Sequence, residues 1–193
     1  MSEQPENKAR DKCVRLRPIT ADDFGAMVQW INAPHVAAWW DSTTDLPAVT
    51  EKYGPHVGNT DKAHVLIIEV GGRSVGFIQC YRHGDYPDWD RDVAVQNAAG
   101  IDYAVGDPDF VGQGVGTQAI RQISAMCFEI YPEIDVVVAV PQQANRPSCR
   151  VLERAGFVCL AQRKLQSECP SDAGISSIYA LDRPAAKMRQ ASG

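Results

Sequence analysis

Basic charge, long apolar runs and a targeting segment are all missing from this chain of 193 residues. Its formal net charge is −5, whereas nucleic-acid-binding domains are usually basic, which disfavours a nucleic-acid partner. No apolar run is long enough to span a bilayer. Residues 1–12 are polar and lack the apolar stretch of a signal peptide. We therefore expect a cytoplasmic protein with no membrane contact.

Metal-binding and disulfide patterns are missing as well. The six cysteines form no CxxC pair, and the four histidines show no metal-ligand spacing. We expect reduced thiols and no metal. The mild acidity suits a cationic small substrate, but it is equally ordinary for a cytoplasmic protein.

What is present predicts one mixed α/β domain. Hydrophobic residues make up 45% of the chain, enough for a sizeable core, and we place the domain at residues 13–183 between tails at 1–12 and 184–193. Apolar and alternating runs predict strands at 14–18, 64–70, 74–82, 100–105, 135–140, 157–163 and 176–182. Helical spacing predicts helices at 21–32, 47–54, 114–131 and 145–155, with a brief helix or bend at 35–41 and a long loop at 83–97. This order predicts an α/β (α+β) fold, a single mixed twisted sheet of about six to seven strands with helices on both faces.

A glycine-rich turn stands out between a strand and a helix. The stretch PDFVGQGVGTQAIRQI, residues 108–123, carries glycines at 112, 114 and 116. It lacks both the GxGxxG spacing of a dinucleotide fold and the GK[ST] ending of a P-loop. A flexible strand-to-helix turn would explain the glycines alone. Their place at the start of a helix, whose first N–H groups are free, also favours an anion site, to which Thr117 adds a hydroxyl.

Two segments carry a resemblance to a known family. VGQGVGTQAI, residues 111–120, and NRPSCRVLERAGF, residues 145–157, resemble the two signatures of the GNAT superfamily of N-acetyltransferases. The resemblance implies the GNAT fold and acetyl-CoA as cosubstrate, with its pyrophosphate held by backbone N–H groups of the glycine loop. The implied cofactor-binding residues are Tyr103, Val105, Val111, Gly112, Gln113, Gly114, Val115, Gly116, Thr117 and Asn145.

Further segments resemble the aminoglycoside 6′-N-acetyltransferases. They are VRLRPITADDFGAMVQWINAPHVAAWWD (14–41), VGFIQCY (75–81) and GID (100–102). Amine and siderophore acyltransferases share a looser form of the first segment. The resemblance implies that Asp102 is the catalytic carboxylate that binds the substrate amine and accepts its proton. It implies that Asp88 is a second substrate carboxylate. Because aromatic rings stack on sugar rings and attract ammonium groups, we expect Trp89, Trp39, Trp40 and Tyr53 to line the same substrate cleft.

The residues themselves allow plainer interpretations. An isolated aspartate in a strand, such as Asp102, is often part of a structural ion pair. The acids at 85, 90 and 92 are typical of a solvated loop, and one of the two adjacent tryptophans is as suited to the core as to a cleft.

The sequence departs from the family where the leaving thiolate is handled. Many relatives place a tyrosine seven residues after the capping asparagine, and here that position is Leu152. An acid that some relatives carry before the proline is Val140 here. Tyr103 and Tyr179 are possible substitutes, and the thiolate can also leave unaided. Cys149 has no histidine partner in the sequence pattern, so we expect it to serve packing.

Taken together, these features predict an acetyl-CoA-dependent N-acetyltransferase acting on a cationic amino sugar, at the 6′-amine of aminoglycosides. The alternatives are an enzyme for another amine (a peptide N-terminus, a polyamine or a siderophore precursor) and a binding protein that has lost turnover. The expected partner is a small polycationic amine, and the chain is expected to be a monomer or a homodimer.

Overall fold

The computed structural model describes residues 13–40, 44–58, 61–166 and 174–185. One seven-stranded sheet organises them, in the order β1-β2-β3-β4-β5-β7-β6. The strands are β1 (Val14–Pro18), β2 (Ala63–Val70), β3 (Arg73–Arg82), β4 (Ala98–Val105), β5 (Val136–Ala139), β6 (Val158–Arg163) and β7 (Ser176–Asp182). The predicted tail at 1–12 and residues 186–193 of the other tail lie outside the described residues.

The sheet is mixed, as predicted. β1 to β4 pair antiparallel with their neighbours in chain order. β4 and β5 are parallel, and β7 is antiparallel to both β5 and β6. All four residues of β5 are buried, which agrees with its nearly all-apolar sequence.

Six α-helices occur in the described part of the chain. They are α1 (Phe24–Ile31), α2 (Pro34–Ala37), α3 (Leu46–Tyr53), α4 (Pro87–Val93), α5 (Val115–Ile130) and α6 (Arg146–Ala155). None of the helices in the described ranges is both long and apolar enough to cross a membrane.

Helices cover both faces of the sheet, which confirms the predicted layering. On one face α5 and α6 bury the largest cluster, in which Ile120, Ile123 and Leu152 are fully buried. Each such side chain contributes about 1.5–3 kcal/mol of burial free energy. On the other face α1, α2 and α3 cover a second cluster around Met27 and Phe77, and α4 covers a third. The strands alternate between these clusters: Leu66 and Ile68 point to the first, Val65 and Ile67 to the second.

The segment 83–97 is not the loop that its polar composition predicted. It contains a 3-10 turn, His83–Asp85, followed by helix α4. Pro87 occupies the first turn of α4, where a missing N–H costs nothing, and acids in that turn complement the helix dipole. Trp89 and Val93 lie one turn apart on the buried side. These two anchors were too few to reveal the helix period in the sequence.

The predicted helix at 21–32 is also divided. It opens as a 3-10 turn, Ala21–Asp23, and becomes α-helical at Phe24. The Asp23 carboxylate accepts hydrogen bonds from the Thr20 backbone N–H at 2.8 Å and from Arg17 Nη2 at 2.6 Å. This capping box and ion pair tie the start of the helix to β1.

Candidate active site

A cleft of about 760 Å³ opens where β4 and β5 separate. The two strands pair only over Ala98–Gly100 and Val136–Val138, and β4 continues to Val105 without β5 beside it. The glycine loop and the first turns of α6 close the far side of the opening. The split therefore exposes one edge of β4, including the peptide groups around Asp102 and Tyr103, to whatever enters the cleft.

The glycine loop has a left-handed backbone at two of its three glycines. Gly112 and Gly114 have φ of 76° and 84°, a left-handed conformation that residues with a Cβ rarely adopt. Gly114 is the N-cap of α5, and a Cβ at either glycine would meet no atom within 4 Å. The loop is therefore open to an approaching anion, and the free N–H groups at the start of α5 lie beside it.

A buried aspartate braces the entrance to this loop. Asp107 Oδ2 lies 2.6 Å from Arg73 Nη2, and Asp107 Oδ1 accepts a hydrogen bond from the Asp109 N–H at 3.0 Å. The backbone N–H groups of Gly106 and Asp107 both donate to the Val75 carbonyl. These contacts hold the chain between β4 and the glycines to the end of the β2–β3 hairpin.

Asp102 lies in the cleft, half-buried and held by a neighbouring strand. Gln79 Nε2 donates to Asp102 Oδ2 at 2.8 Å, and the two residues face each other across the β3–β4 register. Ile101 and Tyr103 pack against the first cluster and Ala104 against the second. Alternation thus places the Asp102 side chain on the face covered by α1 and α3, opposite to Tyr103. Among the described residues that line the cleft, Asp102 is the one carboxylate.

Aromatic side chains form the wall near Asp102. Trp39 and Trp40 come from the segment after α2, Tyr81 from the end of β3 and Trp89 from α4. Trp40 also packs edge-on against Phe77, with ring centroids 5.1 Å apart, so it belongs partly to the core. The Trp89 Nε1 donor is buried without a hydrogen-bond partner among the described residues.

Two of the predicted substrate contacts lie elsewhere in the structure. Tyr53 is 1% exposed and packs in the second cluster, where its ring centroid lies 5.9 Å from that of Phe77. The apolar spacing of α3 required a buried residue there, and the large ring supplies it. The Asp88 side chain is 92% exposed and bonds to Arg91 at 2.8 Å, because its position on α4 points to solvent.

Each of the other acids in this segment also contacts a group of the protein. Asp85 pairs with Arg82 at 2.7 Å, and Asp92 Oδ2 accepts from the Gln166 N–H at 2.7 Å. Asp90 Oδ1 lies 3.7 Å from His83 Nδ1. The acidic segment is therefore engaged with the protein itself.

The predicted cofactor residues divide between cleft wall and support. The lining includes Tyr103, Val105, Val111, Gly112, Gly114, Gly116, Thr117 and Asn145. Val115 is buried in the first cluster, and the Gln113 amide donates to the Asp109 carbonyl, so both side chains support the loop. Asn145 caps α6 by accepting from the Ser148 N–H at 3.2 Å.

The residues that depart from the family pattern are split between cleft and core. Val140 lines the cleft, while Leu152 and Cys149 pack in the first cluster. Tyr179 donates to Glu153 Oε1 at 2.9 Å and lies among the buried residues of that cluster.

Sequence reasoning missed several residues of the cleft wall. Gln79, Tyr81, Ser148, Arg150 and Arg154 all line it. His35, which also lines it, lies with Nε2 at 2.9 Å from the Val105 carbonyl oxygen. Helical spacing after the Asn145 cap contained a signal for the residues of α6. The partners of Asp102 and Val105 lie 23 and 70 positions away along the chain, so no local pattern reveals that they meet.

Comparison with known proteins agrees with this geometry. Residues 20–165 match a family model described as an acetyltransferase (GNAT) domain. The chain is 28% identical over 148 residues to aminoglycoside N(6')-acetyltransferase type 1 of Klebsiella pneumoniae, covering 75% of this chain and 73% of the relative. It is 26% identical over 172 residues to the lysine N-acyltransferase MbtK of Mycobacterium sp. (strain MCS), covering 87% of this chain and 66% of that protein.

Solved structures show the same relationship. The crystal structure of the aminoglycoside acetyltransferase AAC(6')-Ib in complex with coenzyme A and kanamycin matches with a TM-score of 0.75 and 26% identity, covering 89% of this chain and 95% of that one. The split between β4 and β5, the glycine loop and the Asn-capped α6 thus occur in a chain that matches the family over most of its length. The chain belongs to the GNAT family of acetyltransferases.

Proposed function

We propose that this chain transfers the acetyl group of acetyl-CoA to a primary amine of a cationic amino sugar, at the 6′-amine of an aminoglycoside. The observation that carries the proposal is the position of Asp102, a carboxylate in a cleft with aromatic walls, beside the open edge of β4. The similarity to aminoglycoside N(6')-acetyltransferase type 1 supports the choice of acceptor.

The acceptor amine must lose a proton before it can attack. A lysine-like amine has a pKa of about 10.4 and is mostly protonated at pH 7. Asp102 pairs with the ammonium and accepts its proton, directly or through water. Such a pair at about 4 Å contributes roughly 4 kcal/mol at an effective dielectric near 20, before desolvation is subtracted. The Gln79 hydrogen bond holds the carboxylate in one orientation during this step.

The residues opposite Asp102 suit an anionic, amide-containing cosubstrate. The open glycine loop offers backbone N–H groups to a diphosphate, and Arg150 and Arg154 add positive charge to the same wall. The unpaired edge of β4 offers peptide groups to amides of an extended arm. The acetyl thioester supplies the carbonyl carbon that the amine attacks.

The aromatic wall suits the acceptor. Trp39, Trp40, Tyr81 and Trp89 present ring faces and edges next to Asp102. Such faces attract ammonium groups and stack on sugar rings. A single carboxylate surrounded by aromatic side chains therefore favours an amine that is attached to a sugar ring.

A panel of acceptors with acetyl-CoA, followed by release of free thiol, tests the proposal. The panel pairs an aminoglycoside that carries a 6′-amine with a matched compound that carries a 6′-hydroxyl, and adds a polyamine, a peptide and a lysine derivative. We expect thiol release and a monoacetylated product only with the 6′-amine. Acetylation of the polyamine, peptide or lysine derivative in its place would assign another acceptor. Acetyl-CoA binding without acetylation of any amine would show a binding protein.

The Asp102→Asn variant tests the proposed role of the Asp102 carboxylate in the cleft. It keeps the size of the side chain but removes its charge and basicity, so kcat/KM should fall by about 10²–10⁴-fold. Acetyl-CoA affinity should stay unchanged, and higher pH should restore part of the activity because more amine is neutral. Asp135→Asn is the matched control, because Asp135 immediately precedes β5, contacts Asn97 and does not line the cleft. Wild-type kcat/KM in folded Asp102→Asn would show that another group takes the proton.

A further inference from the structure

Two hydroxyl groups meet across the cleft on the side opposite to Asp102. Tyr103 Oη lies 2.6 Å from Ser148 Oγ, and it also lies 3.3 Å from the Ser148 carbonyl oxygen. Tyr103 belongs to β4 and Ser148 to the first turn of α6, and both line the cleft. The pair therefore joins the two walls that flank the opening in the sheet.

Both side chains are held in place by their elements. Alternation along β4 directs Tyr103 toward α6 and Asp102 toward the opposite face. Ser148 follows the capping Asn145, whose side chain binds the Ser148 N–H at 3.2 Å. The hydroxyl pair thus lies at the N-terminal end of α6, where the helix dipole favours negative charge.

The geometry of α6 relates this hydroxyl pair to position 152, where this chain has leucine and many relatives have tyrosine. Ser148 and Leu152 are one turn apart on the same face of the helix. Helix side chains slant toward the N-terminus, so a tyrosine side chain at position 152 would reach back toward the turn that contains Ser148. Leu152 is instead fully buried in the first cluster. The hydroxyls of Ser148 and Tyr103 therefore occupy the region that such a tyrosine would reach.

We propose that the Tyr103–Ser148 hydroxyl pair hydrogen-bonds and protonates the sulfur of CoA as the thiolate leaves, a role that rests on the acetyl transfer proposed above. The amine nitrogen forms a bond to the carbonyl carbon, and the C–S bond breaks with its electron pair on sulfur. The sulfur acquires a proton through Ser148 and Tyr103, and the pair regains one from water. The proton that the amine loses leaves through Asp102 on the other face of the sheet.

The environment of Tyr103 agrees with a donor role. Burial raises the pKa of the Tyr103 hydroxyl well above its ordinary value, so the group stays protonated throughout the neutral range. A protonated pair can donate hydrogen bonds to a developing thiolate. Donation to the charged form lowers the pKa of the bound thiol.

The first test needs no acceptor amine and measures the affinity of CoA against pH by calorimetry, with desulfo-CoA as the reference ligand. If the pair stabilises the thiolate, the ratio of CoA to desulfo-CoA affinity should rise with pH. It should gain about tenfold for each unit by which the bound thiol's pKa is lowered. In Ser148→Ala and Tyr103→Phe the ratio should stay nearly flat. A flat ratio in the wild type, or an equal rise in all three proteins, would overturn the proposal.

The second test measures turnover with whichever amine the panel identifies. Ser148→Ala and Tyr103→Phe should each lower kcat by about 10²-fold at pH 7. The double variant should fall no further, because the two groups act as a unit. Ser148→Thr, which keeps a hydroxyl, should recover most of the activity. The loss should shrink at alkaline pH, where the thiolate needs no proton, whereas a merely structural defect would not vary with pH.

Tyr179→Phe is the matched control, because it removes a hydroxyl that also contacts α6, through Glu153. It should leave both the affinity ratio and kcat near the wild-type values. A large loss in Tyr179→Phe with none in Ser148→Ala would overturn the assignment. If the affinity ratio behaves as expected but no amine is acetylated, the proposed acceptor fails and the sulfur site stands.

Discussion

Gln79 Nε2 lies 2.8 Å from Asp102 Oδ2, and this hydrogen bond joins β3 and β4 at the point where the cleft begins. Both side chains are half-buried, and the register places them directly opposite each other. Gln79 therefore sets the direction in which the carboxylate faces the cleft. It contributes to the site from β3, within the VGFIQCY segment and outside both the glycine loop and α6.

Gln79→Leu should lower kcat/KM for the acceptor amine by about tenfold or more, because a hydrogen bond to a charged group contributes roughly 1.5–3 kcal/mol. Acetyl-CoA affinity should not change. Gln122→Leu is the control, since Gln122 Nε2 donates to the Val14 carbonyl outside the cleft. Steady-state kinetics of both variants check the prediction, and equal kcat/KM values for the two would contradict it.

Gly114→Val should weaken acetyl-CoA binding steeply, because the new side chain enters the open space that an anion would use. Gly72→Val is a close control: Gly72 has φ of 83° against 84° for Gly114, and a Cβ there also meets no atom within 4 Å. Both variants should lose about 1–2 kcal/mol of folding free energy from backbone strain. Calorimetry should find weakened binding only in Gly114→Val. Unchanged affinity in folded Gly114→Val would remove the glycine loop from the anion site.

Asp107→Ala should weaken acetyl-CoA binding severalfold although the side chain does not line the cleft. The substitution removes the side-chain cap of the 3-10 turn Pro108–Phe110, which lowers the free energy of unfolding by about 0.5–2 kcal/mol. The turn that leads into the glycine loop then loses a restraint on its conformation. Arg73→Gln removes only the exposed partner of the same ion pair, which contributes about 0–1 kcal/mol. Urea unfolding and calorimetry should rank the Asp107 variant well below the Arg73 variant. The reverse order would show that the ion pair, and not the cap, holds the loop.

Acid should destabilise the fold through His83. Burial lowers the pKa of His83 to about 4 from 6.5, although Asp90 opposes the shift. Because the folded-state pKa is the lower one, the unfolded chain binds the proton first as the pH falls. The contribution of neutral His83 to the free energy of unfolding is therefore fully present above pH 6.5. It is lost between about pH 6.5 and pH 4, by about 3 kcal/mol in total.

His83→Phe keeps a planar ring against Tyr81, whose centroid lies 5.9 Å away, and should lose this pH dependence. Urea unfolding of both proteins at pH 7 and pH 5 measures it. Burial raises the pKa of Asp23, but the hydrogen bonds from Arg17 and Thr20 outweigh burial and lower that pKa below 3.8. Protonation of Asp23 therefore reduces stability only at pH values below this window. A parallel decline in both proteins would assign the acid sensitivity to another group.

Local features of the fold were predictable from neighbouring residues. The glycine loop, the Asn145 cap and the all-apolar β5 each depend on groups within a few positions of one another. Their chemistry is therefore visible in short segments of sequence. The resemblance to the GNAT superfamily rested on two such segments, and it is confirmed by the family match over residues 20–165.

Helix α4 and Tyr53 show where local patterns fail. The acids and Pro87 made residues 83–97 look like a solvated loop, because only Trp89 and Val93 mark the buried side of the helix. Tyr53 comes after Trp39 and Trp40 in the sequence, and those two residues line the cleft. The Tyr53 ring, however, lies on the buried side of α3 and packs in the core against Phe77. In both cases packing against another element decided the outcome.

The sequence by itself determined the order of the seven strands, the glycine-rich turn before α5 and the presence of a carboxylate in the GID strand. The tertiary structure alone decided which side chains meet: Gln79 with Asp102, His35 with the Val105 carbonyl, and Tyr103 with Ser148. The physical reason is distance along the chain. These partners are separated by 23, 70 and 45 positions, so their contact depends on strand pairing and helix docking, which no short segment encodes.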